Sequence, residues 1–136
     1  MTQPGMLTPG LHASGILAGK RGLVLGIANN RSIAWGIAKA AHEAGAELAF
    51  TYQGESLEKR VHPLAKEVDA QVVGDCDVTD TVALNAVFKQ IERIWENLDF
   101  VVHCVAFSDK DQLTGRYIDT TSENFSYTLL VSCYSF

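Results

Sequence analysis

The chain has 136 residues and a net charge of −5, with 47% hydrophobic and 20% charged residues. This balance predicts one globular domain with a hydrophobic core and excludes a disordered chain. The negative charge disfavours nucleic acid and anionic membrane surfaces as partners, because both require a basic face. No apolar run in the sequence approaches the length of a membrane span.

The cysteines Cys76, Cys104 and Cys133 form no C-x-x-C pair, and the histidines stand apart from them. We therefore predict no metal site, no disulfide framework and a reducing, cytoplasmic location. Pro4–Gly5 and Pro9–Gly10 interrupt the beginning of the chain, so we expect residues 1–15 to form a flexible extension and the domain to occupy residues 16–136.

Apolar runs and helical patterns alternate along the chain. We predict strands at 21–26, 47–52, 71–74 and 100–105, with helices at 33–44, 57–68 and 81–98. Strict alternation with short links predicts an α/β fold, in which a doubly wound, Rossmann-like parallel sheet is built from βαβ units.

A fourth helix is predicted after a polar loop. Thr120 and Glu123 match a capping box, and the segment that follows is apolar nearly all round, so we expect it to pack against more than one neighbour. No usual helix stop precedes Phe136. We therefore expect an incomplete sheet of four strands that forms the N-terminal part of a longer protein.

The first turn has the small residues that a phosphate-binding loop needs. Gly26 allows a sharp exit from the strand, and Ala28 keeps the loop slim. The N–H groups near Ser32 and Ile33 are placed to meet a pyrophosphate at the start of a helix. The turn lacks the G-x-G-x-x-G fingerprint, so a tight turn without a ligand is an equal interpretation of these residues alone.

Further positions at the ends of the strands favour a dinucleotide. Gln53 occupies the place where an acidic residue usually binds the ribose, and no arginine follows to hold a 2′-phosphate, which favours NADH over NADPH. Asp77 and Val78 follow the third strand, where a carboxylate can accept from the adenine amino group; a helix cap is the competing interpretation of Asp77. Small residues leave room for a ribose and nicotinamide after the fourth strand: Cys104, Val105 and Ala106.

From about Gly15 to Phe136 the chain resembles the bacterial NADH-dependent enoyl-acyl-carrier-protein reductases, a divergent branch of the short-chain dehydrogenase/reductase superfamily. The Ser32-Ile33-Ala34-x-Gly36 segment distinguishes this branch from ordinary short-chain dehydrogenases. The matching segments lie at 26–38, 45–53, 76–78, 99–103, 111–113 and 132–136.

The resemblance implies a homotetramer that reduces the trans-2 double bond of an enoyl chain on acyl carrier protein. It also implies that Ser108 faces the substrate and that NADH is bound by Gly26, Ser32, Ile33, Gln53, Asp77, Val78 and Val105. The alternatives are a short-chain dehydrogenase acting on an alcohol or ketone, and a non-catalytic dinucleotide-binding module.

The resemblance places the catalytic residues in a Tyr-x6-Lys pattern on a later segment, so we expect them beyond Phe136 and expect residues 1–136 to be inactive alone. Tyr52 and Lys59 have this spacing. We reject them because they straddle the end of the second strand, at the adenosine half of the expected site and far from the nicotinamide. His103 is predicted to be a hydrogen-bonded core histidine, because that is the commoner role of a lone histidine beside a strand.

Overall fold

The structure is a computed structural model that describes residues 15–136, so the predicted extension lies outside the described residues apart from Gly15. The strands are β1 (Arg21–Leu25), β2 (Glu47–Tyr52), β3 (Gln71–Asp75) and β4 (Phe100–His103). The α-helices are α1 (Ile33–Glu43), α2 (Glu55–Glu67), α3 (Thr81–Ile94) and α4 (Ser122–Leu129). Short 3-10 turns occur at Lys110–Leu113 and Tyr117–Asp119, and a π-helical turn (Leu130–Tyr134) continues α4.

The four strands form one parallel sheet in the order β3-β2-β1-β4. The predicted α/β fold with a doubly wound parallel sheet is confirmed. In β1, Leu23 and Val24 are fully buried and face opposite sides of the sheet. Helices α1 and α2 cover one side, while α3 and Val131 cover the other. Because the strands are parallel, their four carboxyl ends lie at one edge of the sheet.

The largest fully buried side chain is Phe50 in β2, which lies among residues of α1 and α2. Its ring meets Trp35 of α1 edge to face, with centroids 6.5 Å apart. Ala34, Ala38 and Ala41 are the other buried residues of this helix, and their small side chains let α1 lie close to the sheet. This contact fixes the first helix above β1 and β2.

A register shift separates the two ends of the β2–β3 ladder. Phe50 pairs with Val72, but Thr51 pairs with Gly74, so Val73 is an extra residue in β3. Such a β-bulge twists the strand and changes which residues stand opposite each other beyond it. Gly74 accommodates the bend with a φ of +129°. Beyond the bulge, each residue of β2 therefore stands opposite a β3 residue one position later in the sequence.

The last helix differs from the prediction. Thr121, not Thr120, caps α4, because its hydroxyl accepts from the Asn124 N–H at 3.3 Å. The expected packing against several neighbours is wrong for the described residues, since Val131 is the one residue of α4 and the π-helical turn that is buried. Phe125 remains 52% exposed. Nothing in residues 15–136 covers the outer face of this helix.

The predicted third helix is four residues too long. It ends at Ile94, and Trp95 follows in extended conformation with its indole N–H donating to Glu47 Oε2 at 3.2 Å. Val87 and Ile91 of the predicted apolar face are buried, whereas Phe88 is 43% exposed. Within the described part of the chain, no helix has both the length and the apolar character of a membrane span.

Replacing Phe50 by alanine is expected to lower the free energy of unfolding by about 3–5 kcal/mol, because the cavity left in the core cannot be filled by its neighbours. The matched control is Phe88→Ala, which removes the same ring from a partly exposed site and should cost roughly 1 kcal/mol or less. Urea denaturation followed by circular dichroism measures both. Equal losses would contradict the described core.

Candidate functional site

Two adjoining clefts lie at the edge where the strands end. They share Gly26, Cys104, Val105 and Ala106, so they form one continuous track. The first cleft extends over β2 and is also lined by Leu25, Ile27, Ala28, Thr51, Tyr52, Gln53, Leu57, Cys76 and Val78. The second extends over the start of α1 and is also lined by Ser32, Ile33, Ala34, His103 and Ser132. Ligands of open α/β sheets bind in this position.

Gly26 brings two backbone segments into contact at the centre of this track. Its φ is +97°, a conformation that side chains rarely tolerate. A Cβ at this position would also overlap the carbonyl oxygen of Cys104. The predicted role of Gly26, a sharp exit from the first strand, agrees with both observations. The absence of a side chain lets the backbone after β1 lie against the Cys104 carbonyl, and both residues line the two clefts.

Ser32 holds the first turn in shape through its hydroxyl group. The N–H groups of Ala28 and Asn29 both donate to Ser32 Oγ at 3.0 Å. The residue stands at the N-cap of α1, as predicted, but its side chain makes no hydrogen bond to the helix. Because Oγ accepts twice, its O–H hydrogen is directed away from the loop and is available to an anion.

The start of α1 presents further donors. Ser32 N–H is not one of them, because it donates to the Asn29 carbonyl at 3.1 Å. In the described part of the chain, the N–H groups of Ile33 and Ala34 have no acceptor. Free amides at a helix N-terminus carry the positive end of the helix dipole and attract anions. The donor set is therefore the Ser32 hydroxyl with the first two amides of α1.

Gln53, at the other end of the track, is in direct contact with Asp77, which lines neither cleft itself. Gln53 Nε2 donates to Asp77 Oδ2 at 3.2 Å. Thr79 donates to Asp77 Oδ1 twice, from its N–H at 2.8 Å and its hydroxyl at 2.7 Å. The Thr79 N–H, the Thr79 hydroxyl and the Gln53 amide keep the pKa of the Asp77 carboxyl below its usual range. The cap of α3 is Asp80, not Asp77.

The end of β4 and the loop after it are attached to the last helix by two serines that were not among the predicted site residues. Ser132 Oγ accepts from the Phe107 N–H at 3.1 Å, and His103 Nε2 lies 2.8 Å from Ser135 Oγ. The Ser135 hydroxyl donates to the Val131 carbonyl at 2.6 Å, so the ring nitrogen of His103 is the donor. His103 is half-buried and hydrogen-bonded, in agreement with its predicted structural role. The serine spacing carries no signal of these contacts, because the π-helical turn that creates them is not visible in the sequence.

Ser108 lies outside both clefts. Its hydroxyl accepts from Asn124 Nδ2 at 3.2 Å, while Asn124 Oδ1 accepts from the Asp109 N–H at 2.9 Å. Asn124 thus ties the loop after β4 to the beginning of α4. This attachment holds Ser108 at the edge of the track beyond Ala106, and no contact in the described residues tests its predicted role toward the substrate.

Tyr52 and Lys59 do not form a catalytic pair. The Tyr52 hydroxyl donates to Glu58 at 3.2 Å, and Lys59 pairs with Glu55 at 2.7 Å. Burial, followed by the nearby Glu58 carboxylate, raises the pKa of the Tyr52 phenol. The raised pKa of the Tyr52 phenol and the ion pair of Lys59 with Glu55 indicate structural roles at the start of α2. The structure therefore agrees with the rejection of the Tyr52–Lys59 pair.

Cys76 is a buried thiol below the first cleft. Burial raises its pKa to about 11, and the neighbouring carboxylates of Asp77 and Asp75 add to the effect. The thiol therefore stays neutral and acts as a small apolar wall of the cleft. Across residues 15–136, the histidine, cysteine and acidic side chains form no group of three or more that could hold a metal ion.

Comparison with known proteins identifies the family. A family model described as enoyl-(acyl carrier protein) reductase matches residues 26–136. The chain belongs to this family. It is 60% identical over 125 residues to enoyl-(acyl-carrier-protein) reductase (NADH) 1 of Rhizobium meliloti strain 1021, and the alignment covers 92% of this chain and 46% of that protein. The chain therefore spans about half the length of the curated relatives it matches.

Two solved reductases show the same fold with different nucleotides. The enzyme of Anaplasma phagocytophilum, in complex with NAD, is 48% identical with a TM-score of 0.85, and the match covers 89% of this chain and 46% of that one. The enzyme of Bacillus cereus, with NADP+, is 42% identical with a TM-score of 0.84, over 89% of this chain and 48% of that one. The shared fold thus accommodates both nucleotides among the relatives of this chain.

Gly26→Ala is expected to destabilise the domain by about 2 kcal/mol or more, because it adds left-handed backbone strain and a clash with Cys104. The matched control is Gly19→Ala, where φ is +74° but the space is empty. That variant should lose only the strain, about 1 kcal/mol. Urea titrations compare them, and equal losses would mean that the close approach at Gly26 is absent.

Thr79→Val is expected to raise the pKa of Asp77 toward its usual value, because it removes the hydroxyl donor and leaves the N–H donor. A depressed carboxyl pKa stabilises the fold above the pKa of the unfolded chain, and this stabilisation is lost as pH falls through the folded pKa. The variant should therefore be less stable than the parent at neutral pH, and the difference should vanish in acid. Carbon-13 NMR of the carboxyl group with urea titrations at both pH values measures this; Thr81→Val is the control.

Proposed function

We propose that the protein is an NADH-dependent enoyl-acyl-carrier-protein reductase of bacterial fatty-acid synthesis. The observation that carries the proposal is that the family match, over residues 26–136, includes every residue that lines the two clefts except Leu25. When bound, NADH supplies the hydride for the β-carbon of the trans-2 enoyl chain, whose enolate is then protonated. We assign no catalytic residue to this chain.

The start of α1 suits the pyrophosphate of the cofactor. The Ser32 hydroxyl and the amides of Ile33 and Ala34 converge beside the bare backbone of Gly26. A phosphate at this point receives hydrogen bonds and the field of the helix dipole without displacing an existing contact. Ala28 contributes by leaving space over the turn, and its own N–H is already used by Ser32.

The first cleft suits the adenosine half of the cofactor. Gln53 lines this cleft, and we assign it to the ribose hydroxyls; Val78 is buried at the wall of the cleft, where it would offer an apolar surface to the adenine ring. Asp77 lies next to Gln53, and in the proposed complex its carboxylate would accept from the amino group of adenine. The residues present therefore fit a dinucleotide.

The nicotinamide half would lie over the end of β4. Cys104, Val105 and Ala106 line both clefts, and their small side chains leave room for the second ribose and the ring. Ser108 follows at the outer edge, where the resemblance places the acyl chain. The substrate would then enter from the loop between β4 and α4, carried by acyl carrier protein.

The proposed assembly is a cytoplasmic homotetramer. Its support is the set of apolar side chains of the last helix that are exposed in the single chain. Phe125, Tyr127, Leu129 and Leu130 are 38–52% exposed. Exposed apolar patches of this kind mark interaction surfaces in soluble proteins. In the proposed enzyme, the partner at this face is another copy of the chain.

The decisive experiment is a chimera in which residues 15–136 of this chain replace the matching half of the Rhizobium meliloti reductase. We expect it to oxidise NADH in the presence of crotonyl-acyl carrier protein within about tenfold of the parent rate, because the nucleotide half is interchangeable at 60% identity. Absorbance at 340 nm follows the reaction. This chain alone, assayed in parallel, tests the expectation that residues 1–136 are inactive.

The control for the binding site is Ile33→Pro against Ile33→Ala. Proline is tolerated at the first helical position, and Ser32 already has the extended conformation that precedes proline, with ψ of 142°. Both variants remove the isoleucine side chain, but only Ile33→Pro also removes the N–H donor, so it should weaken NADH binding about tenfold more than Ile33→Ala. A folded chimera that binds NADH but reduces a ketone, or nothing, would replace the proposal with one of the two alternatives.

A further inference from the structure

Gln53 is held in one orientation by Asp77. An ionised carboxylate only accepts hydrogen bonds, so the group that faces Asp77 Oδ2 must be the NH2 of the Gln53 amide. The Gln53 Oε1 atom then points away from this contact, and in residues 15–136 it accepts no hydrogen bond. The side chain that lines the cleft therefore presents an acceptor, while its donor is engaged.

Asp77 is itself fixed, so it can fix its neighbour. Both donors of Thr79 bond to Oδ1, which leaves Oδ2 for Gln53. The lowered pKa of Asp77 keeps the carboxylate ionised at neutral pH, so it does not become a donor itself. The orientation of Gln53 thus depends on a rigid and charged partner.

The β-bulge in β3 makes this contact possible. Because Val73 is an extra residue, Tyr52 pairs with Asp75, and the Cys76 N–H donates to the Tyr52 carbonyl at 2.7 Å. Gln53 is therefore level with the residues that follow β3, and Asp77 comes within reach. Without the bulge, Gln53 would face Asp75.

An acceptor at this position distinguishes a ribose hydroxyl from a phosphate. A 2′-hydroxyl donates to Oε1, whereas a 2′-phosphate brings roughly two negative charges and only acceptors. The amide of Gly54 at the start of α2 is also occupied, since it donates to Asp75 Oδ1 at 3.0 Å. Lys59, in the first turns of the same helix, is paired with Glu55.

We propose that Asp77 is a positioning residue that selects NADH over NADPH by holding the Gln53 amide with its oxygen toward the adenosine ribose. The proposal rests on the proposed function and adds the residue that determines its nucleotide specificity. The fold itself does not exclude the phosphorylated cofactor, because the similar Bacillus cereus reductase is solved with NADP+. In this chain the preference for NADH over NADPH must therefore come from side chains at the site.

The test compares the dissociation constants of NADH and NADPH for this chain and, in parallel, for the chimera. The unaltered proteins should bind NADH at least about tenfold more tightly than NADPH. Asp77→Asn should lower this preference by about tenfold, because a neutral partner lets the Gln53 amide turn and donate to the phosphate. Glu92→Gln, in the last turn of α3, removes the same charge far from the cleft and should leave the preference unchanged.

A double-mutant cycle with Gln53→Met separates positioning from a direct effect of charge. If Asp77 acts through Gln53, then Asp77→Asn should change the preference by less than about twofold in the Gln53→Met background. Thr79→Val, which loosens Asp77 without removing it, should give a smaller change in the same direction as Asp77→Asn. Circular dichroism confirms that each variant is folded.

The positioning role of Asp77 would be overturned if Asp77→Asn left the preference for NADH over NADPH unchanged, or if it had equal effects with Gln53 and with Met at position 53. If the proteins still bound NADH, the proposed function would stand. Equal affinity of the unaltered proteins for both nucleotides would also overturn the positioning role. Failure of both proteins to bind either nucleotide would overturn the proposed function as well.

Discussion

The close approach of two backbone segments at Gly26 is the constraint on which the rest of the site depends. The end of β1 passes directly over the carbonyl of Cys104 at the end of β4, and only a residue without a side chain permits this at a φ of +97°. Gly26 and Cys104 both line the two clefts at the point where the central strands end. The residues proposed to contact the cofactor lie on either side of this point.

From this point the site develops in two directions along the sheet edge. Toward α1, the Ser32 hydroxyl fastens the loop by accepting from Ala28 and Asn29, and the first amides of the helix remain unbonded. Toward β2 and β3, the bulge places Asp77 beside Gln53. One end therefore offers donors and positive potential to phosphates, while the other offers acceptors to hydroxyl groups. This arrangement suits a dinucleotide that has a central pyrophosphate and a free 2′-hydroxyl on its adenosine ribose.

Much of the fold follows from local pattern. The apolar run at Leu23–Leu25, the small residues of α1 and the alternation of strands and helices predict a doubly wound parallel sheet, because burial on both faces demands such a sequence. The sequence pattern predicted the end of α3 four residues too late and the cap of α4 one residue too early. Helix ends depend on which hydrogen bond forms among several near-equal choices. Trp95 leaves α3 with a tertiary contact to Glu47, whereas Thr121 caps α4 through a local bond from the Asn124 N–H.

The sequence alone determined the fold class, the family and the residues at the strand ends, because residue size and periodicity are local properties. Only the tertiary structure decided how those residues are used: the Ser32 hydroxyl bonds the loop rather than the helix, and Gln53 is oriented by Asp77. It also attached His103 of β4 to Ser135, and the loop residue Phe107 to Ser132 in the π-helical turn. The contacts of Gln53, Ser132 and Ser135 join residues 24 to 32 positions apart, and they depend on a bulge and a helical irregularity whose geometry is set by packing.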